Sequence, residues 1–260
     1  MKNAIIKVKR VVVMMLATLA LLAGFSSINA DAATEIEAGK EYTGRLAGSD
    51  GRAEYTYTTT GEGYFYVELT CTDGDDTGLG LGKGSIIFSM EHNYKEYDKF
   101  DVYEGRGTGT SSCLSFKKGS KVKMSLRNDS MYCDGEYVLK VIQVTPKNFE
   151  VENNDSKKKA NVIKLNTIKG GIVNYSEDKD CFVFKAPRKG KYVIKGVSIE
   201  GTEAMHVYKG YKEVSNCYLK SGQGWIKAYS GKLKKGQKIY IEIPGEYWYR
   251  GEYKLKITKR

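Results

Sequence analysis

The chain has 260 residues, of which 42 are Lys or Arg and 31 are Asp or Glu, so its formal net charge is +11. The lysines are scattered along many predicted strands, and no basic helix gathers them into a stripe, which argues against a nucleic-acid-binding protein. No Cys-x-x-Cys spacing occurs, which excludes a zinc ribbon. A basic chain favours anionic surfaces such as wall polymers, acidic glycans or headgroups. The alternative, which we prefer, is that the lysines solvate sheet faces and protect sheet edges.

The N-terminus predicts export. Four basic residues precede an apolar run from Val11 to Phe25, and Ala30-Asp31-Ala32 offers small residues for cleavage after position 32. The run has 15 residues, fewer than the about 20 that a membrane-spanning helix needs. We therefore expect residues 1–32 to be a signal peptide and the protein to be secreted and extracellular, without stable membrane insertion. Removal of four basic residues and Asp31 changes the net charge from +11 to +8.

A repeat predicts two tandem domains. "FKKGSKVKMSL" followed by "GEYVLKV" occupies 116–141, and "LKKGQKIYIEI" followed by "GEYKLKI" occupies 233–257. Upstream, "GEGYFYVEL" at 61–69 parallels "RKGKYVIKGV" at 188–197. Pro146 and the polar residues after it indicate a linker. We expect a first domain at 33–145 and a second at 146–260, each of a common single-domain size.

Period-2 alternation predicts the fold class. Val122, Met124 and Leu126 alternate with polar residues, as do Ile239, Ile241 and Ile243, and Tyr253, Leu255 and Ile257. Such alternation is typical of half-buried antiparallel strands. The second copy offers about eight of these runs, separated by turn residues. The sequence therefore predicts an all-β protein with two tandem antiparallel β-sandwich domains of jelly-roll-like form.

An acidic stretch, "EVENNDSKKKAN" at 150–161, opens the second copy. In an extended segment Glu150, Glu152 and Asn154 project from one face, and Asp178 and Asp180 do the same at a later strand start. Four carboxylates that converge repel one another unless they are protonated or bound to a cation, and calcium prefers about 6 to 8 oxygen ligands. The alternative is that Asp155 or Ser156 caps a helical turn through Lys157 to Ala160. Both interpretations can hold together.

The second copy resembles the bacterial pre-peptidase C-terminal domain. The residues that carry the resemblance are Glu152 to Ser156, Ala160-Asn161, Asp178 to Phe182 and Gly190 to Tyr192. Asn153 stands where family modules usually have proline, and Cys181 where an aromatic residue is frequent. The first copy matches only in its later strands, since "SDGRAEYTY" replaces the Asp-x-Asp-x-Phe start and no acidic leader precedes it.

The resemblance implies a β-sandwich accessory module without chemistry of its own, related to clostridial collagen-binding-type modules. Those relatives bind calcium through the acidic leader together with the Asp pair. We accordingly expect calcium as the cofactor of the second copy alone, held by these residues: Glu150, Glu152, Asn154, Asp155, Asp178 and Asp180.

A second candidate site is the hairpin "PGEYWYRGEY" at 244–253. Tyr247, Trp248, Tyr249 and Arg250 cannot all reach the core, and exposed residues of these types dominate binding hot spots. The alternative is that one set of rings closes the open end of the sandwich. The sequence predicts a ligand-binding hairpin here.

No catalytic constellation is apparent. Gly-x-Ser-x-Gly, His-Glu-x-x-His and phosphate-loop motifs are absent from the sequence, and a dyad of Cys217 with His206 is a remote alternative. An odd number of cysteines (Cys71, Cys113, Cys133, Cys181, Cys217) leaves at least one thiol unpaired or intermolecular. We predict a secreted, non-catalytic binding or accessory protein that engages an extracellular polysaccharide or fibrous protein. Alternatives are a chaperone, inhibitor or docking partner of a secreted enzyme such as a peptidase and, remotely, a small hydrolase.

Overall fold

A computed structural model describes residues 33–61, 63–73, 84–129, 134–174, 178–245 and 251–260. Among these residues the regular elements are all β-strands, so the predicted all-β class is confirmed. The signal-peptide prediction for residues 1–32 lies outside the described residues. Within the described ranges, no helix is long and apolar enough to cross a membrane.

The first half contributes nine strands in the described residues, arranged in two sheets. They are β1 (Thr34–Ile36), β2 (Glu41–Leu46), β3 (Arg52–Thr58), β4 (Tyr64–Asp73), β5 (Ser85–His92), β6 (Lys95–Tyr103), β7 (Thr108–Thr110), β8 (Lys121–Asn128) and β9 (Gly135–Val144). One sheet has the order β1-β3-β8-β5-β6, and the other has the order β2-β9-β4-β7.

The second half repeats this arrangement strand by strand. Its strands are β10 (Asn161–Val162), β11 (Ile168–Val173), β12 (Lys179–Lys185), β13 (Gly190–Ser198), β14 (Thr202–Lys209), β15 (Lys212–Lys220), β16 (Ile226–Leu233), β17 (Lys238–Pro244) and β18 (Gly251–Lys259). The sheet orders are β10-β12-β17-β14-β15 and β11-β18-β13-β16, the first-half orders shifted by nine strands. The two copies of the sequence repeat therefore share one topology. The domain boundaries at 145 and 146 stay a prediction.

The strand faces follow the alternation in the sequence. Val122, Met124 and Leu126 of β8 are fully buried, and so are Ile239, Ile241 and Ile243 of β17. Each half has its own cluster of buried apolar side chains, with Phe65 and Phe88 in one and Phe182 and Tyr253 in the other. Burial of these inward faces is the main stabilising contribution, since each large apolar side chain contributes about 1.5–3 kcal/mol when fully buried.

Two features depart from the prediction: the second half has nine strands in the described residues where about eight were predicted, and the strand pairs are not all antiparallel. In each half a short strand pairs in parallel with a longer strand: β1 pairs with β3, and β10 pairs with β12. Strand β10 has only two residues, Asn161 and Val162, which is too short to show a period in the sequence. Its place beside β12 matters for the site, because it ends the acidic stretch next to the strand that carries Asp180.

Candidate metal centre

The structure brings the acidic stretch and the start of β12 together. One carboxylate oxygen from each of Glu150, Glu152 and Asp180 lies within 4.8 Å of the other two, and we call these three residues the inner group. Glu152, Asp155 and Asp178 form a second group by the same distance. Glu152 belongs to both groups. The predicted convergence of the two segments is therefore present in the structure, and it includes Asp155, which the alternation of side chains alone did not place there.

The inner group is buried and partly hydrogen-bonded. Glu150 is 1% exposed and Asp180 is 0% exposed. Ile172 N donates to Glu150 Oε1 at 2.6 Å, and the Tyr253 hydroxyl lies 2.6 Å from Asp180 Oδ2 and 3.1 Å from Glu150 Oε2. The single hydroxyl proton of Tyr253 can serve only one of these oxygens at a time. The carboxylate pair therefore has fewer donors than acceptors.

At the acidic centre, three buried oxygens have no hydrogen-bond partner among the described residues: Glu152 Oε1, Asn154 Oδ1 and Asp180 Oδ1. All three belong to residues that the sequence analysis named as ligands. A buried acceptor without a donor is costly, and native structures contain few of them. An oxygen-only donor set of carboxylates and one amide is the ligand chemistry that calcium prefers. The residues present thus fit a hard divalent cation.

The electrostatics point the same way. Burial, against a favourable backbone hydrogen bond, raises the pKa of Glu150 to about 7. Burial and the charge of Glu150 raise the pKa of Glu152 to about 10, and burial raises that of Asp178 to about 6. The pKa of Asp180 lies well above its usual value because of burial and the nearby Glu150 charge. These carboxyls cannot all be ionised together without a compensating positive charge.

The loop that carries the ligand residues is held at both ends. At its start, Phe149 bridges in parallel to Gly170, and Glu150 N donates to Gly170 O at 2.9 Å. At its end, the Asn161 side chain accepts from Val151 N at 2.8 Å and donates to Val151 O at 3.0 Å. We call this pair of hydrogen bonds the Asn161 clamp. Between these ends, Cys181 N donates to Asn154 O at 3.0 Å, which fixes the loop against β12.

The predicted alternative of a turn capped by Asp155 or Ser156 is wrong in its cap, although a turn is formed. Residues 157–159 form one turn that is closed by a hydrogen bond from Lys159 N to Ser156 O at 2.9 Å. Among the described residues, no side-chain hydrogen bond from Asp155 or Ser156 caps this turn. Lys157 instead reaches sideways: its Nζ lies 4.0 Å from the ring centroid of Tyr208 and 3.5 Å from Glu242 Oε1.

The first half shows how the same scaffold looks without the acids. Tyr137 occupies the position of Tyr253, and its hydroxyl lies 2.6 Å from the hydroxyl of Tyr55. Gly44 faces Tyr137 as Gly171 faces Tyr253, and in each half a Cβ at the glycine would clash with the tyrosine hydroxyl. Two tyrosines thus satisfy each other in the first half. In the second half the hydroxyl is directed to carboxylates.

The other predicted site residues do not come together among the described residues. Cys217 is paired with the buried Met205 and packs against the core, whereas His206 is paired with Asn216 and has its Nδ1 3.4 Å from Glu213 Oε1. Neighbouring strand positions face opposite sides of the sheet, so the remote Cys217–His206 dyad is not formed. Tyr247, Trp248, Tyr249 and Arg250 lie outside the described residues. Of the cysteines, Cys113, Cys181 and Cys217 are free thiols, Cys71 is buried, and Cys133 lies outside the described residues.

Sequence reasoning did not single out Tyr253, Gly171 or Asn174 as part of the site. Asn174 N donates to Asp178 Oδ2 at 2.7 Å. The Tyr253 hydroxyl contacts Asp180 and Glu150 of the inner group. The signal that could have found Tyr253 and Gly171 is their recurrence as Tyr137 and Gly44 in the first copy.

A scan of the sequence against protein-family models found no matching model, and a search of curated proteins found no match. The solved structures that the chain is similar to include the pre-peptidase C-terminal domain of collagenase from Bacillus anthracis. That match has 18% identity, covers 38% of this chain and 93% of the other, and has a TM-score of 0.31. A pre-peptidase C-terminal domain is thus among the structures that this chain resembles, as its sequence predicts.

Two further matches cover most of the chain. The CUB1-EGF-CUB2 domains of rat MASP-1 have 9% identity over 86% of this chain and 100% of the other, with a TM-score of 0.28. The N-terminal CBM22-1-CBM22-2 tandem domain of Xyn10C from Paenibacillus barcinonensis has 12% identity over 84% of this chain and 86% of the other, with a TM-score of 0.27.

Proposed function

We propose that this protein is an exported, non-catalytic binding module whose second half binds calcium and which attaches to an extracellular polymer. The observation that carries the calcium part is the set of buried oxygens without a donor on Glu152, Asn154 and Asp180. They lie in a cluster of oxygen ligands that includes four carboxyl groups whose pKa values are raised. When bound, calcium supplies the positive charge that allows these carboxyls to ionise together.

The residues divide the work between them. Glu150 and Asp180 are held by Ile172 N and by the Tyr253 hydroxyl, so both carboxylates, and the unpartnered Asp180 Oδ1, are oriented before a cation arrives. Glu152, which belongs to both carboxylate groups, and Asn154 offer unpartnered oxygens. Asp155 is exposed and Asp178 is half-buried, so the second group is the open side of the centre. We propose these six residues as the calcium ligands.

Calorimetry of the purified protein tests the calcium part. A ligand that binds only the native state raises its free energy of unfolding by about 2.7 kcal/mol at a hundredfold excess over Kd. We expect a higher melting temperature in millimolar calcium than in a chelator, with a smaller effect of magnesium, which demands a stricter octahedral geometry. An unchanged melting temperature in millimolar calcium would overturn this part.

The attachment part is supported by the basic charge of the chain, which favours anionic surfaces. Retention of the purified protein on immobilised glycans, on collagen and on whole cells tests it. We keep the 244–253 hairpin as one proposed contact: replacement of Trp248 and Arg250 by Ala should abolish retention without changing the circular dichroism. Co-purification with one defined exported enzyme, and no retention on polymers, would favour the docking-partner alternative.

A further inference from the structure

The two halves carry the same exposed tyrosine at the tip of the same hairpin. In the first half β5 and β6 are joined by Asn93-Tyr94, and in the second half β14 and β15 are joined by Gly210-Tyr211. The sequences are Asn-Tyr-Lys-Glu at 93–96 and Gly-Tyr-Lys-Glu at 210–213. Tyr94 is 104% exposed and Tyr211 is 96% exposed. These are the two most exposed aromatic side chains in the described residues.

The backbone at Tyr94 is unfavourable for a tyrosine. Asn93 has φ of 51° and Tyr94 has φ of 62°, so both central residues of the turn lie in the left-handed region. Such turns prefer glycine at the second position, and a bulky residue there is strained. A tyrosine that is both strained and fully exposed contributes nothing to packing. Its presence therefore points to a contact outside this chain.

Both hairpin tips lie against the acidic loop. Asn93 and Lys95 line a cleft of about 230 Å³ together with Glu152 and Asp155. On the other side, Lys157 Nζ donates to Gly210 O at 3.3 Å, and it lies 5.6 Å from the ring centroid of Tyr211. The loop at 150–161 thus separates two tyrosine-tipped hairpins, and the three segments form one surface.

Exposed lysines lie on the loop and beside Tyr211. Lys158 and Lys159 are exposed on the loop, and Lys212 is exposed beside Tyr211. Glu213 is held by the Asn216 side chain at 2.7 Å and by His206 at 3.4 Å. The lysines therefore remain available to an anionic ligand, while the loop carboxylates repel it unless a cation neutralises them.

We propose that this surface, made of Tyr94, Tyr211 and the lysines of the loop between them, binds an acidic polysaccharide whose sugars carry carboxylates. A flat tyrosine ring stacks on the apolar face of a sugar ring, and its hydroxyl bonds to sugar hydroxyls. The lysines pair with the carboxylates. One tyrosine per tip, flanked by Asn93, Lys95, Gly210 and Lys212, offers too little apolar surface to hold a bilayer.

This inference names the ligand class and a contact surface for the attachment proposed above, and it rests on calcium for neutralisation of the loop. Immobilised polygalacturonate is the probe, with a neutral glucan of similar length as the comparison. In millimolar calcium we expect Tyr94→Ala and Tyr211→Ala each to weaken binding about tenfold, because exposed interface aromatics dominate binding energy. A chelator should weaken the binding of the wild-type protein in the same assay.

Matched variants separate binding from folding. Tyr218, 57% exposed near the far end of β15, provides the control: Tyr218→Ala should bind as the wild type does. Tyr94→Gly removes the ring and relieves the left-handed strain, so it should fold at least as stably as the wild type and still lose affinity. The calcium-induced rise in melting temperature should be the same in all these variants.

Several results would overturn the inference. They are equal affinity of the double variant Tyr94→Ala/Tyr211→Ala and the wild type, equal binding to the neutral glucan, or binding to phosphatidylglycerol vesicles without binding to polygalacturonate. A wild-type protein that calcium stabilises but that does not bind the polymer would overturn this surface and leave the calcium site standing. Polymer binding that depends on the tyrosines, with no stabilisation by calcium, would support the tyrosine contacts and overturn both the calcium site and the neutralisation of the loop by calcium.

Discussion

The side-chain amide of Asn174 pairs with both backbone groups of Ser115. Asn174 Oδ1 accepts from Ser115 N at 2.9 Å, and Asn174 Nδ2 donates to Ser115 O at 2.6 Å. Both residues are buried, and they belong to different halves of the chain. Because Asn174 N also donates to Asp178 Oδ2 at 2.7 Å, a single residue links the acidic centre of the second half to the first half.

Replacement of Asn174 by Ala should therefore loosen the contact between the halves. The buried backbone N–H and C=O of Ser115 would lose their partners, which costs about 1–3 kcal/mol in the free energy of unfolding. Chemical denaturation measures this loss. Asn216→Ala is the control, since Asn216 is exposed and its side chain bonds to the exposed Glu213. Equal stability of the two variants would show that the Asn174–Ser115 pair contributes little.

Asp180→Asn should remove most of the response to calcium. The amide keeps the shape of the side chain but removes one charge from a self-repelling cluster, so the stability in a chelator should match or exceed that of the wild type. Calcium should then bind at least about tenfold more weakly, which corresponds to about 1.4 kcal/mol. Calorimetric titration measures the affinity, and thermal unfolding measures the stability.

The control for Asp180→Asn is Glu203→Gln. Glu203 is 1% exposed on β14, and burial raises its pKa to about 7, but it lies outside both carboxylate groups. Its variant should keep the full calcium response. If both variants respond to calcium as the wild type does, the acidic centre is not the calcium site.

The stability in a chelator should fall as the pH rises. The pKa values of Glu150, Glu152 and Asp178 are about 7, 10 and 6 in the folded protein, above their ordinary values of 4.5, 4.5 and 3.8. Between the unfolded and folded pKa values the native state binds more protons than the unfolded state, so the free energy of unfolding decreases with pH. Calcium at the proposed site, where it would favour the ionised carboxyls, should weaken or reverse this trend.

Urea denaturation at pH 5 and pH 9, with calcium and with a chelator, measures the effect. The difference between the two curves isolates the acidic centre, because Glu203 shifts both of them equally. A stability in chelator that is constant or rises between these pH values would contradict the prediction and would mean that the carboxyls are ionised in the free protein.

Tyr253→Phe and Tyr137→Phe form a matched pair. Each removes a hydroxyl that bonds to a buried oxygen, Asp180 Oδ2 in one half and Tyr55 Oη in the other. Each should cost about 1–3 kcal/mol in a chelator. With calcium the cost of Tyr253→Phe should shrink, because the ion satisfies the carboxylate, whereas the cost of Tyr137→Phe should not change. If each variant loses the same stability with calcium as with a chelator, Tyr253 does not contribute to a cation site.

Much of the fold was predictable because sheet faces repeat every second residue. The alternation in β8, β17 and β18 identified the buried side chains, and the repeated Lys-Lys-Gly turn recurs with φ of 81° at Gly119 and 80° at Gly236. The two-residue strand β10 was not predictable, since its place depends on pairing with β12 and not on any local period.

The convergence of the acidic side chains was predictable, but their surroundings were not. The alternation of Glu150, Glu152 and Asn154 indicated a shared face, and Asp178 and Asp180 a second one. The hydroxyl of Tyr253 reaches the site from β18, and the backbone N–H of Asn174 reaches it from the end of β11. Only the tertiary fold shows their roles. The hairpin tips of Tyr94 and Tyr211 were not predictable, because each carries a single aromatic residue whose exposure depends on the tertiary fold.

The Asn161 clamp has a kinetic consequence. It closes a loop of about ten residues through two hydrogen bonds to Val151, and these bonds do not involve any proposed ligand oxygen. The loop is therefore ordered by folding and not by the ion, so little chain entropy is lost when a cation enters. Exchange of the cation would then be governed by its dehydration and by the carboxylate charges, and the centre could load and unload repeatedly while the sandwich around it stays folded.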